Sequence, residues 1–159
     1  MDYRVIKEND LFLLTDQMGN ITKNHQYGLG LYTKDTRFLS GLNIKINGED
    51  PILLASDADE NYMATIRLTN PHIENEENLI LWRESIEILR ERFIYDGVLY
   101  ETIKLKNYFP KRVDFTITVH IQGENKSVLR SMCRLLISAC FFYVEKKKFY
   151  LKFYFNKFN

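Results

Sequence analysis

The sequence predicts an all-β fold: an antiparallel β-sandwich that is incomplete and carries an irregular or helical C-terminal tail. Three observations predict it. In RVDFTITVHIQ, Val113, Phe115, Ile117, Val119 and Ile121 alternate with Asp114, Thr116, Thr118 and His120, the period of a half-buried strand. Strand-like runs follow one another with little room for crossover helices, which favours antiparallel over parallel pairing. The alternation stops at Gly123, so the remainder reads as a segment of another kind.

The elements follow in chain order. The start, MDYRVIKEND, shows no positively charged stretch followed by an apolar run, so no signal peptide is expected. Gly28-Leu29-Gly30 is too short for a dinucleotide fingerprint, and no helical pattern follows it. It reads as a flexible approach to a strand. LNIKING ends in Asn47-Gly48, a turn signal before the apolar run PILLAS. In NYMATIRLT, Tyr62, Ala64, Ile66 and Leu68 share one face.

LILWRESIEILRERF admits two readings. Trp82, Ile86, Leu89 and Phe93 fall at helical spacing. The hairpin reading passes a stricter test. A two-residue turn at Asp96-Gly97 places Ile94 opposite Leu99, Ile88 opposite Leu105, Phe93 opposite Tyr100, and Glu87 opposite Lys106. Apolar meets apolar on both faces and the charges match in sign, coincidences that a helix does not require. The same register sets Arg92 against Glu101 among Ile94, Leu99 and Ile103, with Arg90 on that face. Isolated charges there would be costly, so a paired network is expected.

A chain of 159 residues suits one domain. Residues 1–121 carry a net charge of −5 and residues 122–159 one of +6, an asymmetry that separates two unlike parts. The longest uncharged, mainly apolar run, Leu135–Val144, is about half of what spans a bilayer. Asn20-Ile21-Thr22 and Asn125-Lys126-Ser127 match the glycosylation pattern, which carries no weight without secretion. A cytoplasmic location is expected. Cys133 and Cys140 read as free thiols, and His25, His72 and His120 lack metal-ligand spacing. No metal and no cofactor are expected. Acidic groupings such as Glu84 with Glu87, or Glu74 with Glu76 and Glu77, resemble a glycosidase pair only in number. No catalytic residue is assigned.

GLYTKDTRFLSGLNIKING (30–48) followed by RERFIYDGVLYETIKLKNY (90–108) resembles the N-terminal domain of bacterial and archaeal glycogen-debranching enzymes of the amylo-α-1,6-glucosidase type. The likeness rests on Gly30, Leu31 and Tyr32, then Asp35 to Leu39, then Arg90 to Arg92, then Gly97 to Glu101. It covers roughly residues 2–122. The resemblance implies a β-sandwich, with catalysis by paired carboxylates in a following helical (α/α)6 domain that this chain stops short of. The family's continuation of the sandwich is replaced here by GENKSVLRSMCRLL, which leaves no basis for catalysis. Asp35 and Arg37, two apart on a strand, would share a face and could bridge to Arg90, Arg92 or Glu101. A structural network is the favoured reading of these residues, ahead of an interface with the catalytic domain and of direct contact with sugar.

Residues 123–159 read as an atypical basic aromatic tail. FFYVEKKKFYLKFYFNKFN is built largely from Phe, Tyr, Lys and Asn, whose codons are dominated by A and T. Frame disruption or truncation is therefore the favoured reading. A helix over Ser127–Val144, a membrane surface and nucleic-acid binding are weighed below it. On this reading the sandwich is left with an exposed sheet edge, and self-association through that edge is expected. Two functions from different classes follow. One is a non-catalytic N-terminal piece that acts with a catalytic glucosidase domain on another chain. The other is a free-standing module that binds α-glucan. A remnant without function is a third reading; nucleic acid and membrane are not expected partners.

Overall fold

The computed structural model describes residues 3–58, 60–75, 79–111 and 113–123, and the backbone of residues 133–141 and 150–155. Every regular element among them is a strand. In chain order these are β1 (Tyr3–Glu8), β2 (Leu11–Asp16), β3 (Gly30–Thr33), β4 (Thr36–Ile46), β5 (Ile52–Asp57), β6 (Met63–Thr69) and β7 (Ile73–Glu74). They continue with β8 (Leu79–Leu81), β9 (Ile86–Tyr95), β10 (Val98–Asn107), β11 (Thr116–Gly123), β12 (Cys133–Phe141) and β13 (Tyr150–Phe155). One sheet has the order β1-β2-β3-β4-β11-β13 and the other β12-β10-β9-β6-β5, with β7 and β8 forming a separate ribbon.

Tight turns set the local register. Lys34 (φ 47°) and Asp35 (φ 62°) join β3 to β4, and Asp96 (φ 50°) and Gly97 (φ 70°) join β9 to β10. Positive φ at both central residues is the backbone that matches the twist of the flanking strands. β9 and β10 accordingly pair Ile94 with Leu99, Phe93 with Tyr100, Arg92 with Glu101, Ile88 with Leu105 and Glu87 with Lys106. The helical alternative for this segment is thereby excluded, although the strand begins only at Ile86, after a turn at Arg83–Glu84.

Asn47 (φ 49°) and Gly48 (φ 84°) also form a turn, but it does not fold β4 against the next strand. It closes on a single bridge between Ile46 and Glu49. Beyond it the chain crosses to the other sheet, where Ile52 pairs with Thr69.

The core lies between the two sheets. From one side β6 contributes Ala64, Ile66 and Leu68, and β9 contributes Ile86, Ile88 and Ile94. From the other come Leu11 and Leu13 of β2, Leu31 of β3, Leu39, Leu42, Ile44 and Ile46 of β4, and Ile117 and Val119 of β11. Leu39 and Leu42 are an odd number apart, yet both are buried. The register shift opposite Gln122 and Gly123 inserts one extra residue into β4 and returns Leu39 to the inner face.

The tail differs from expectation where it is described. Within Ser127–Val144, Cys133–Phe141 is a strand rather than a helix, paired in parallel with β10. Tyr150–Phe155 pairs in parallel with β11. A sheet edge presents a row of unpaired N–H and C=O groups that an extended segment can satisfy and a helix cannot. The rest of the tail, 124–132, 142–149 and 156–159, lies outside the described residues. Among the described residues no helix is long and apolar enough to cross a membrane.

Candidate functional site

Arg90 and Arg92 are two apart on β9, so both side chains turn to the same face. That face is the core, and both guanidiniums are fully buried. Glu101, the β10 partner of Arg92, lies between them. Its Oε1 accepts from Arg90 Nε at 2.7 Å and from Arg92 Nη2 at 3.0 Å.

The arginines then reach across to the turn that follows β2. Arg90 Nη1 donates to the carbonyl of Met18 at 2.8 Å and to Asn20 Oδ1 at 2.8 Å. Arg92 Nη2 donates to the carbonyl of Gly19. The turn is built to present these acceptors. Gly19 N donates to the Asp16 carbonyl at 3.1 Å, and Asn20 N donates to Asp16 Oδ1 at 2.7 Å. Gly19 has φ 78°, and a Cβ there would lie 2.5 Å from Ile66 Cδ1 and 2.8 Å from Arg92 Nη1. Only glycine meets both the conformation and the space.

Burial alone would push the Glu101 carboxyl upward, but the two guanidiniums outweigh it and hold the group below the usual carboxylate range. Arg92 is lowered to about 10, first by burial and then by repulsion from Arg90, against the attraction of Glu101 and Asp16. Among the described residues, Arg90 Nη2, Arg92 Nε and Arg92 Nη1 make no hydrogen bond. The arrangement is not that of an acid or a base: Glu101 Oε1 takes bonds from both guanidiniums and the carboxylate is buried away from solvent. What it does is tie β9 and β10 in one sheet to the β2 turn in the other.

The other two sequence-assigned residues lie elsewhere. Asp35 is exposed in the β3–β4 turn, because the two-residue turn takes it out of the strand that would have aimed it with Arg37. Arg37 is half-buried on β4. Its Nη2 donates to the carbonyl of Ser40 at 3.2 Å, and its Nε occupies the space beside Gly30, 2.8 Å from where a Cβ would stand. The structure thus brings together Arg90, Arg92 and Glu101, and places Asp35 and Arg37 outside that cluster.

Sequence reasoning missed Asp16, Met18, Gly19 and Asn20, although TDQMGN carries the Asp, Gly and Asn of a turn signal. It also missed Asn70, which is fully buried. Asn70 Oδ1 accepts from the amides of Ser85 at 3.0 Å and Ile86 at 2.8 Å, and Nδ2 donates to the Trp82 carbonyl at 2.6 Å. No group of His, Cys, Asp and Glu among the described residues could hold a metal.

Residues 6–124 match the family described as the N-terminal domain of (some) glycogen debranching enzymes. The chain belongs to that family. The match takes in β2 to β11 whole and β1 from Ile6 onward, while β12 and β13 lie beyond it. In this debranching-enzyme domain the Arg90–Glu101–Arg92 cluster is therefore an internal tie of the matched region. No curated protein and no solved structure matches the chain.

Proposed function

We propose that this chain acts as a non-catalytic N-terminal β-sandwich domain that supports an (α/α)6 catalytic domain of the amylo-α-1,6-glucosidase type. The observation that carries this reading is the family match over residues 6–124. The buried cluster supports it, because its charges are spent within the fold, pairing β9 with β10 and reaching the β2 turn of the other sheet. The setting is cytoplasmic carbohydrate metabolism.

The test is addition of the purified chain to a catalytic domain of that type that has been separated from its own N-terminal domain. A raised melting temperature and a gain in glucose release from branch points are expected. Unchanged activity and stability with excess chain overturn the reading.

A second reading, a free-standing module for α-glucan, is favoured by one observation. An open cleft of about 150 Å³ is lined by Thr22, Lys23, Asn43, His120 and Gln122 over Ile21, Leu42 and Ile121. Asn43 Oδ1 has no hydrogen-bond partner among the described residues, and mixed donors and acceptors over an apolar floor suit a hydroxylated ring. Glycogen retarding the chain in affinity electrophoresis, with the retardation lost in Asn43→Ala, is the result this reading requires.

A further inference from the structure

The β7–β8 ribbon is separate from both sheets. Ile73 and Leu81 are Cα partners in it, and both are buried in the core. Around them Leu79, Ile80 and Trp82 are exposed, three apolar side chains within four positions, Trp82 at 56%. Exposed apolar residues scattered singly are ordinary; a group of them marks an interaction site.

This group is held in place. Nδ2 of the buried Asn70 donates to the Trp82 carbonyl at 2.6 Å, and Ser85 Oγ donates to the same carbonyl at 2.5 Å. The Glu84 amide donates to the Asn70 carbonyl at 3.1 Å. On the ring side, His72 meets the indole nearly edge-on, with centroids 5.4 Å apart and planes at 84°. His72 Nε2 in turn lies 3.1 Å from Glu74 Oε2. Trp82 is braced at its backbone and at its ring, so covering it with a partner costs little further ordering.

Charge selects the partner. Residues 72–84 carry four glutamates (Glu74, Glu76, Glu77 and Glu84) against one arginine (Arg83), a net −3 with histidine neutral. Such a segment is repelled by nucleic acid and by anionic lipid. A second copy meeting it ribbon to ribbon across a two-fold axis would set like charge against like. A sugar ring suits an indole face, but Leu79 and Ile80 offer it neither a ring nor a hydrogen bond. What fits is a protein with an apolar pocket rimmed by Lys or Arg.

We infer that the β7–β8 ribbon is the docking knob of this domain, and that its occupant is an apolar, basic-rimmed pocket on the catalytic domain. The inference rests on the support role proposed above and adds the surface that performs it. Trp82 fills the pocket, while Glu74 and Glu84 meet the rim. The ribbon lies within residues 6–124, so this surface belongs to the matched domain rather than to the tail.

Trp82 is the single tryptophan of the chain, which supplies the test. The full chain, labelled with fluorotryptophan, is titrated with an unlabelled (α/α)6 catalytic domain separated from its own N-terminal domain. Sedimentation records complex formation independently. In the complex, the one fluorine resonance is expected to shift and to lose its solvent isotope effect as the indole leaves water. Trp82→Ala is expected to weaken the complex at least about tenfold, while Leu54→Ala, at an exposed site on β5, leaves it unchanged. Glu74→Lys is expected to weaken it several-fold and to flatten its salt dependence. A complex that forms with the resonance unmoved and with undiminished affinity in Trp82→Ala overturns the inference and leaves the support role standing. Absence of any complex overturns the support role and the inference with it. A resonance moved by maltoheptaose but not by the catalytic domain makes the ribbon a sugar site and overturns the inference as well.

Discussion

Glu101 is the one anion between two fully buried arginines, and its removal leaves both cations without their shared partner. Breaking a buried ion pair by deleting one member costs roughly 3–5 kcal/mol, so Glu101→Gln is expected to lower the denaturation midpoint by an amount of that order. A change below about 1 kcal/mol, the scale of an exposed pair, would show that the cluster does not hold the fold. The same residue sets a pH dependence. The folded-state pKa of Glu101 is depressed, so its contribution is present above the unfolded carboxyl range, near pH 4.3. It is lost as pH falls through the folded value. Acid titration of stability should therefore show a steeper loss below about pH 4 in the natural chain than in Glu101→Gln. Arg92 acts in the opposite sense: its lowered pKa of about 10 makes its charge a cost that is relieved only as pH rises beyond that value. Gly19 is the third residue of this group. Gly19→Ala must displace both Ile66 Cδ1 and Arg92 Nη1 and hold φ 78°, and overpacking of this kind costs about 1–3 kcal/mol.

At the scale of elements, the β9–β10 hairpin shows what a sequence can disclose. Its two-residue turn fixes every pairing at once, so one assumption about Asp96-Gly97 could be checked against many side chains. The strand faces of β6 and β11 were legible for a similar reason, since a period of two sorts a whole strand. The sheet to which each strand belongs was not legible. Asn47-Gly48 looks like a hairpin turn in sequence, yet it sends β4 and β5 to different sheets, a choice made by contacts far away in the chain. Asp35 was misplaced by a single residue, because the β3–β4 turn consumes it. The partners of the buried arginines were out of reach altogether, being carbonyls of Met18 and Gly19, about seventy positions upstream. Asn70 belongs with these hidden elements. It holds the β6 end to the β9 start through the Ser85 and Ile86 amides. Asn70→Ala would leave those buried donors unpaired, at about 1–3 kcal/mol each before relaxation. The expected signature is faster amide exchange confined first to Ser85 and Ile86; an unchanged exchange rate there would contradict the role.

At the scale of the whole molecule, the question is whether the two sheets open as one unit. Area alone does not decide it, because apolar burial between sheets is non-directional and tolerates sliding. The arginine cluster adds direction: β9 and β10 hold Glu101 between them, while three bonds pass to the β2 turn. A rotation of one sheet against the other must break all three and strand two charges in the core. That penalty should make partial opening as costly as complete unfolding. Native-state hydrogen exchange is therefore expected to give the same opening free energy for Leu13 on β2 and Ile88 on β9, whose side chains are both buried in the core. In Glu101→Gln both values should fall together, since the variant weakens the fold without removing the tie to the turn. In Arg90→Met with Arg92→Met, the three bonds are gone and the β2 side should open first, separating the two values. If Leu13 and Ile88 already differ by more than about 2 kcal/mol in the natural chain, the sheets are independent units. The cluster would then serve only the sheet that carries it.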